Sequence, residues 1–232
     1  SIEFKDTTYR YPEADLDTLR SINLSVNEGE KVAILGRNGS GKSTLMKLAS
    51  GLFKASDGLV MYDGVDIKQL HTDDLSRSIG IVLQDVQLFS GSIRENITMG
   101  REDINQDDLI NAGKLSGLDD FVSKIPGGYD LQLSDGGKGL SGGQRQSIAL
   151  ARAIVHKPSH FILDEPTSAM DMNAENIFIS QMSSIMQDTT MLIVTHRMPL
   201  LNLVDRIIVM NEGQIVEDGP KEEIINKLNQ PR

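Results

Sequence analysis

Nine consecutive residues, Gly36-Arg37-Asn38-Gly39-Ser40-Gly41-Lys42-Ser43-Thr44, match the spacing G-x-x-x-x-G-K-[ST]. That spacing suits a phosphate group. Gly36, Gly39 and Gly41 permit backbone conformations that a Cβ would penalise, so successive N–H groups can turn inward onto phosphate oxygens. Lys42 brings a point cation to the β- and γ-phosphates, and the Ser43 hydroxyl is a ligand for Mg²⁺. The pattern has this meaning only between a strand and a helix. Lys31-Val32-Ala33-Ile34-Leu35 ahead of it predicts a short buried strand, and Leu45-Met46-Lys47-Leu48-Ala49 behind it predicts a helix that stops at Gly51. The N-terminus of that helix adds its positive dipole end to the same anion site.

Four further polar residues follow predicted strands. Gln84 comes after Ile79-Gly80-Ile81-Val82-Leu83, Asp164 and Glu165 after Phe161-Ile162-Leu163, and His196 after Met191-Leu192-Ile193-Val194. Ligands of open α/β sheets bind along the carboxyl edge of the strands, where all four fall with the glycine loop. Asp164 is placed to hold Mg²⁺. Glu165, the next residue, can point elsewhere and either take a proton from an attacking water or orient it. His196 can bond a γ-phosphate. Each has an ordinary structural reading alone, as a helix cap or a strand-end side chain; their common edge favours the chemical one.

The elements that must position these groups can be read in order. Ile2 and Phe4, then Ile22, Leu24 and Val26, alternate with polar residues, predicting antiparallel, half-buried strands. Gly58–Tyr62 predicts another strand, turned at Asp63-Gly64, and Thr72 starts a helix. From Asp85 to about Gly139 strand runs disappear; Gln106–Leu118 has helical spacing at Leu109, Ala112 and Leu115, and Gly- and Asp-rich loops follow. Ser141 and Gln144 form a capping-box pattern that opens a helix through Ile154. A helix is expected from about Asn173 to Gln187, a strand pair at Arg206–Met210 and Gln214–Val216, and a helix at Glu222–Leu228. Strands alternating with helices predict an α/β fold with a largely parallel sheet, and approximately residues 85–155 read as a helical subdomain inserted in it.

Composition narrows the function classes. The 232 residues are 39% hydrophobic and 24% charged, ordinary for a globular chain. No cysteine is present, which excludes disulfides, thiolate metal sites and cysteine nucleophiles. The net charge of −10 and the lack of a basic run argue against a nucleic-acid partner. No apolar stretch approaches the ~18 residues of a membrane span. The abrupt start within a strand-like pattern suggests a piece of a longer protein.

Leu140-Ser141-Gly142-Gly143-Gln144 lies between the glycine loop and Asp164. With this pentapeptide, Gln84, Ser168-Ala169-Met170-Asp171 and His196, nearly the whole chain resembles the nucleotide-binding domain of an ATP-binding cassette (ABC) transporter. The resemblance implies a P-loop NTPase of the ABC-ATPase fold over residues 1–232, with a mixed sheet, an antiparallel β subdomain and the inserted helical subdomain. It implies ATP and Mg²⁺ as ligands, held by Gly36, Arg37, Asn38, Gly39, Ser40, Gly41, Lys42, Ser43 and Thr44. Tyr11 is implied to stack on adenine, with Tyr9 as a weaker alternative. Ser43, Gln84 and Asp164 would surround the metal, and Glu165, His196 and Gln84 would carry the chemistry. Ser141, Gly142, Gly143 and Gln144 would meet ATP held by a second copy, giving a homodimer that sandwiches two nucleotides, and Asp171 is implied to be a nucleotide-binding residue as well.

Leu83-Gln84-Asp85, Phe89–Ile93 and Glu95-Asn96-Ile97 resemble exporters with fused membrane domains, and Asp135-Gly136-Gly137-Lys138-Gly139 resembles type I secretion ATPases for RTX toxins and adhesins. This subgroup would place the chain at the cytoplasmic face of a bacterial inner membrane. Pro166 after Glu165 leans instead toward an importer ATPase. A non-transport cassette protein is disfavoured because no long heptad run separates the glycine loop from Ser141.

Overall fold

The computed structural model describes residues 1–186 and 188–229. The chain opens with two strands, β1 (Ile2–Tyr9) and β2 (Leu19–Val26), which pair antiparallel. Next come β3 (Lys31–Gly36), α1 (Lys42–Ala49), β4 (Asp57–Tyr62) and the two-residue β5 (Val65–Asp66). A short α2 (Thr72–Ser78) leads into β6 (Ile79–Val82). The middle of the chain holds β7 (Gly91–Ser92), α3 (Ile93–Thr98), α4 (Gln106–Leu115), α5 (Asp119–Val122) and β8 (Gln132–Leu133). Then follow α6 (Gly142–Ile154), β9 (His160–Asp164), α7 (Met172–Ile185) and β10 (Thr190–Val194). The chain closes with β11 (Arg206–Asn211), β12 (Gln214–Pro220) and α8 (Lys221–Leu228).

The six-stranded sheet runs β12-β11-β3-β10-β9-β6. Its neighbours from β11 to β6 pair parallel, and β12 joins the edge antiparallel. β9 and β10 are buried at every position, as expected of parallel strands covered on both faces. Alternate residues feed two cores. Phe161, Leu163, Met191 and Ile193 meet Ile97, Leu109, Ile148 and Phe178 of the helices on one face. Ile162, Leu192 and Val194 meet Leu45, Met46 and Leu48 of α1 on the other. A second sheet, β2-β1-β4-β5, covers the outside of α1. The Tyr62 hydroxyl donates to the Ala49 carbonyl at 2.6 Å and ties that sheet to the end of α1.

The middle region departs from the sequence expectation in three places. Strand pairing does not vanish: β7 and β8 pair antiparallel, too short to leave an alternating pattern. The helix expected to reach Leu118 ends at Leu115, because Gly117 takes φ +70° and turns the chain into α5. Short α3 carries a full capping box between Ser92 and Glu95, a signal that the sequence holds within six helical residues. Elsewhere β6 stops one residue early, at Val82. The helix expected over Asn173–Gln187 runs Met172–Ile185 after the Asp171 cap, and Gln187 lies outside the described residues.

His160 opens β9 and is buried, edge-on to Tyr62 at 5.1 Å, with Nδ1 2.9 Å from the Ser159 hydroxyl and Nε2 unpartnered. Burial holds its pKa below the ordinary 6.5, against the pull of Asp63 and Glu28. A depressed folded pKa gives stability that is present above the unfolded value and lost as pH falls through the folded one. Acidification from about pH 7.5 to about pH 5 is therefore expected to lower the urea midpoint through this group. His160→Phe, which keeps a ring beside Tyr62 and cannot take a proton, should flatten that slope. Parallel slopes in the two proteins would assign the acid loss to other groups.

Candidate functional site

β3 ends at Gly36, between β10 and β11, so the glycine loop leaves the middle of the sheet at its carboxyl edge. Gly36 has φ +153°, and a Cβ there would sit 2.3 Å from the Met210 carbonyl oxygen of β11 and 2.7 Å from Ser40 Oγ. Only glycine fits between that strand and the turn of the loop. Gly41 (φ +100°) caps α1 with its backbone pressed against Leu19, which a Cβ would meet at 2.6 Å. Lys42 folds back across the loop: Nζ donates to the carbonyls of Gly36 at 2.8 Å and Arg37 at 3.0 Å. Burial lowers its pKa, countered by Glu165 and Asp164. Ser40 is buried beside it with its hydroxyl unpartnered.

A cleft of about 590 Å³ opens over this loop. Asn38, Gly39, Gly41, Lys42, Ser43 and Thr44 line it from the loop side, and Gln84, Asp164, Glu165 and His196 line it from the ends of β6, β9 and β10. The structure thus gathers the residues that the sequence placed on one edge. Gly36, Arg37 and Ser40 lie in the loop outside the lining; Arg37 is exposed and, like Gly36, contributes its carbonyl to Lys42.

Asp164 is 2% exposed and its Oδ1 has no hydrogen-bond partner. Burial raises its pKa, opposed by the Ser43 hydroxyl and by Lys42 and Lys47. Glu165 has φ +49°, the left-handed region that non-glycine residues rarely take. Its backbone N–H donates to the Val194 carbonyl at 2.9 Å. The turn brings its carboxylate to His196, whose Nε2 stands 3.5 Å from Glu165 Oε1. Glu165 is also held above the ordinary carboxylate range, by burial first and against the attraction of His196. The cleft therefore sets a phosphate cradle, a hard oxygen-donor set and a largely desolvated carboxylate with an exposed imidazole beside it.

The residue after His196 was not singled out by its chemistry in the sequence. Arg197 lines the cleft and pairs at 3.0 Å with Glu175, which is buried on α7 and also accepts from the Thr167 hydroxyl at 2.7 Å. The guanidinium also donates to the carbonyls of Ser168 and Met170, each at 3.4 Å. A glutamate at a buried helical position, Glu175, was the available signal, since buried carboxylates are rare unless paired.

Tyr11 lies next to the loop without lining the cleft. Its hydroxyl is 3.1 Å from Thr44 Oγ1 and its ring is edge-on to Tyr9 and Phe53. Tyr9 is buried and stacked on Phe53 at 5.2 Å, so its face is closed to a ligand. Ser141, Gly142, Gly143, Gln144 and Asp171 do not reach the first cleft either. They line a second one of about 380 Å³ with Met170 and Phe121. Ser141 caps α6 in a reciprocal box with Gln144, and Asp171 caps α7. The N–H groups of Gly142 and Gly143 at the start of α6 form a second anion-favouring edge.

These two clefts can be set against known proteins. The chain is 41% identical over 225 residues to the cyclolysin secretion/processing ATP-binding protein CyaB of Bordetella pertussis, 97% of its length and 32% of that protein. It is 43% identical over 224 residues to the leukotoxin export ATP-binding protein LtxB of Aggregatibacter actinomycetemcomitans, with 97% and 32% covered. Against the leukotoxin translocation ATP-binding protein LktB of Mannheimia glucosida it is 42% identical over 228 residues, with 98% and 32% covered. The chain thus spans about a third of the length of the curated relatives it matches. A solved bacterial Atm1-family ABC exporter with ATP bound superposes with a TM-score of 0.90 and 31% identity, over 98% of this chain and 40% of the other. The family model for the ABC transporter matches residues 19–168, a stretch that carries the glycine loop, the Ser141 helix start and both carboxylates of β9's end. On that match this chain belongs to the ABC transporter family, as its ATP-binding domain.

Proposed function

We propose that the chain is the ATP-hydrolysing motor of a type I protein secretion exporter. The observation that carries this reading is the convergence of Lys42, Ser43, Asp164, Glu165 and His196 on one cleft over the glycine loop. Lys42 exchanges the Gly36 and Arg37 carbonyls for the β- and γ-phosphates. Glu165 takes a proton from, or orients, the attacking water, and His196 holds the γ-phosphate against it. The oxygen donors suit Mg²⁺: Asp164 Oδ1 is buried and unpartnered, and Ser43 and Gln84 line the same cleft. Among the described residues no group of three His, Cys, Asp or Glu could hold a metal, which fits an ion bound by one carboxylate together with substrate phosphates. When bound, Mg²⁺ neutralises charge on the β- and γ-phosphates.

In the same reading, Ser141, Gly142, Gly143, Gln144 and Asp171 take up ATP held on a second copy, so that a homodimer sandwiches two nucleotides. Tyr11 swings from Thr44 to stack on adenine. Residues of approximately 85–155 act as the inserted helical subdomain and relay the closure to a membrane domain fused ahead of Ser1. The names of the relatives, which speak of secretion, export and translocation, support an export role; in this reading the export crosses the inner membrane and the chain works at its cytoplasmic face. Among the described residues no helix is long and apolar enough to cross a membrane, so in this reading the spanning segments belong to the remaining two thirds of such a protein. The net charge of −10 leaves nucleic acid out of the scheme.

The sandwich is tested by light scattering of Glu165→Gln with Mg²⁺ and ATP. A nucleotide-dependent doubling of mass is expected, abolished by Ser141→Arg, which would place a bulky side chain at the second cleft. A strictly monomeric Glu165→Gln at saturating ATP would overturn the shared-site reading.

A further inference from the structure

Gln146 is one turn into α6 and 2% exposed, yet it is polar on a helix face otherwise filled by Ala149, Leu150 and Ala153. Its side chain spans two other elements. Nε2 donates to the Glu165 carbonyl at 3.2 Å, and Oε1 accepts from the Ala169 N–H at 3.2 Å. The amide orientation is unambiguous, because a backbone carbonyl can only accept and a backbone N–H only donate.

Both peptide groups of Glu165 are therefore tied: its N–H to the Val194 carbonyl of β10 and its C=O to Gln146 of α6. Glu165 keeps a left-handed backbone with φ +49°. Such a conformation persists in a non-glycine residue when its surroundings over-determine it. Only one of the two ties comes from a side chain. Gln146 also fixes Ala169, in the segment whose carbonyls at Ser168 and Met170 accept from Arg197 on the other side.

We propose that Gln146 is a positioning residue for ATP hydrolysis: it locks the left-handed turn that aims the Glu165 carboxylate at His196 and joins that turn to the helix whose first residues line the second cleft. This rests on the reading of Glu165 as the group that handles the attacking water. Gln146 touches neither the nucleotide cradle nor the reacting atoms, so its loss should act on turnover and leave ATP binding intact. A displacement of about 1 Å at a catalytic group costs up to about 10²-fold in rate.

The test uses two substitutions of similar volume in the chain. Gln146→Met removes both hydrogen bonds. Gln146→Glu keeps an acceptor for Ala169 but faces the Glu165 carbonyl with a second acceptor. In both, kcat is expected to fall about 10- to 100-fold, while the affinity for ATP stays within about twofold. In a Glu165→Gln background neither should reduce the residual turnover further, because the group being positioned is gone. Thermal melting without nucleotide identifies any variant that fails to fold, and Gln146→Glu, with one bond retained, guards against that outcome. Wild-type kcat in a folded Gln146→Glu and Gln146→Met, or an equal further loss in the Glu165→Gln background, would overturn the proposal. Full turnover in Glu165→Gln itself would instead remove the reading of Glu165, a separate result.

Discussion

Glu165→Gln is expected to lower ATP turnover by about 10²- to 10⁴-fold, the span that positioned acid–base groups contribute, while ATP still binds. The substitution keeps shape and removes only the ability to take a proton. Its surroundings make that ability worth having. Burial raises the Glu165 pKa above the ordinary carboxylate value, which brings the base nearer the working pH and strengthens it. His196, 3.5 Å away, faces it across the cleft and limits that rise. Because the folded pKa is raised, wild-type turnover should begin to fall on acidification at a higher pH than a free glutamate would give. Lys42 and the glycine loop are untouched, so the affinity for ATP should change little. Single-turnover hydrolysis beside equilibrium nucleotide binding separates the two quantities. Turnover in Glu165→Gln within tenfold of wild type would move the base elsewhere.

Asp164→Asn should split stability from activity. In the nucleotide-free chain Asp164 is almost wholly buried with Oδ1 unpartnered, and an unsatisfied buried polar group costs about 1–3 kcal/mol, more when charged. Replacing the carboxylate by a neutral amide relieves part of that cost. For a chain of this size about 1 kcal/mol moves Tm by about 2–4 °C, so the variant without nucleotide should melt several degrees higher in the presence of a chelator. The same change removes the anionic oxygen proposed for Mg²⁺. The stabilisation that Mg²⁺ and ATP together give should shrink, and Mg²⁺-dependent turnover should fall by at least about 10²-fold. A lower Tm without nucleotide would mean that Lys42 and Lys47 already compensate the charge. An unchanged response to Mg²⁺ would place the ion on other oxygens.

Much of this site could be read from the sequence because its parts are short-range. The strand–glycine loop–helix unit over Lys31–Ala49 is contiguous, and polar residues that end apolar runs fall by construction on the carboxyl edge of a parallel sheet. The capping box at Ser141 is a four-residue pattern. What stayed hidden depends on packing between distant elements. Gln146 carries no motif of its own, and its role depends on the Glu165 carbonyl and the Ala169 N–H that the fold brings against it. Arg197 and Glu175 sit on different elements and gain their meaning only when the buried carboxylate meets the half-buried guanidinium. Tyr11 was assigned by likeness, and its contact with Thr44 and the closure of Tyr9 follow from the way β1 folds over α1. The β7–β8 pairing and the end of α4 at Leu115 turn on single local details that periodicity over a longer window averages away.

The central place of β3 also has a bearing on how the chain is made. Its two neighbours, β10 and β11, are the last parallel strands in the sequence. At a synthesis rate of about 5–20 residues per second, the glycine loop leaves the ribosome on the order of ten seconds or more before Met210 arrives to wall in Gly36. For most of that interval, until β10 is made, the apolar strand Lys31–Gly36 has neither sheet partner, though the antiparallel β1–β2 unit and α1 are already complete in sequence. The nucleotide cradle is thus finished only once β11 has been made, and its most conformationally demanding glycine is the one that waits longest for its neighbour.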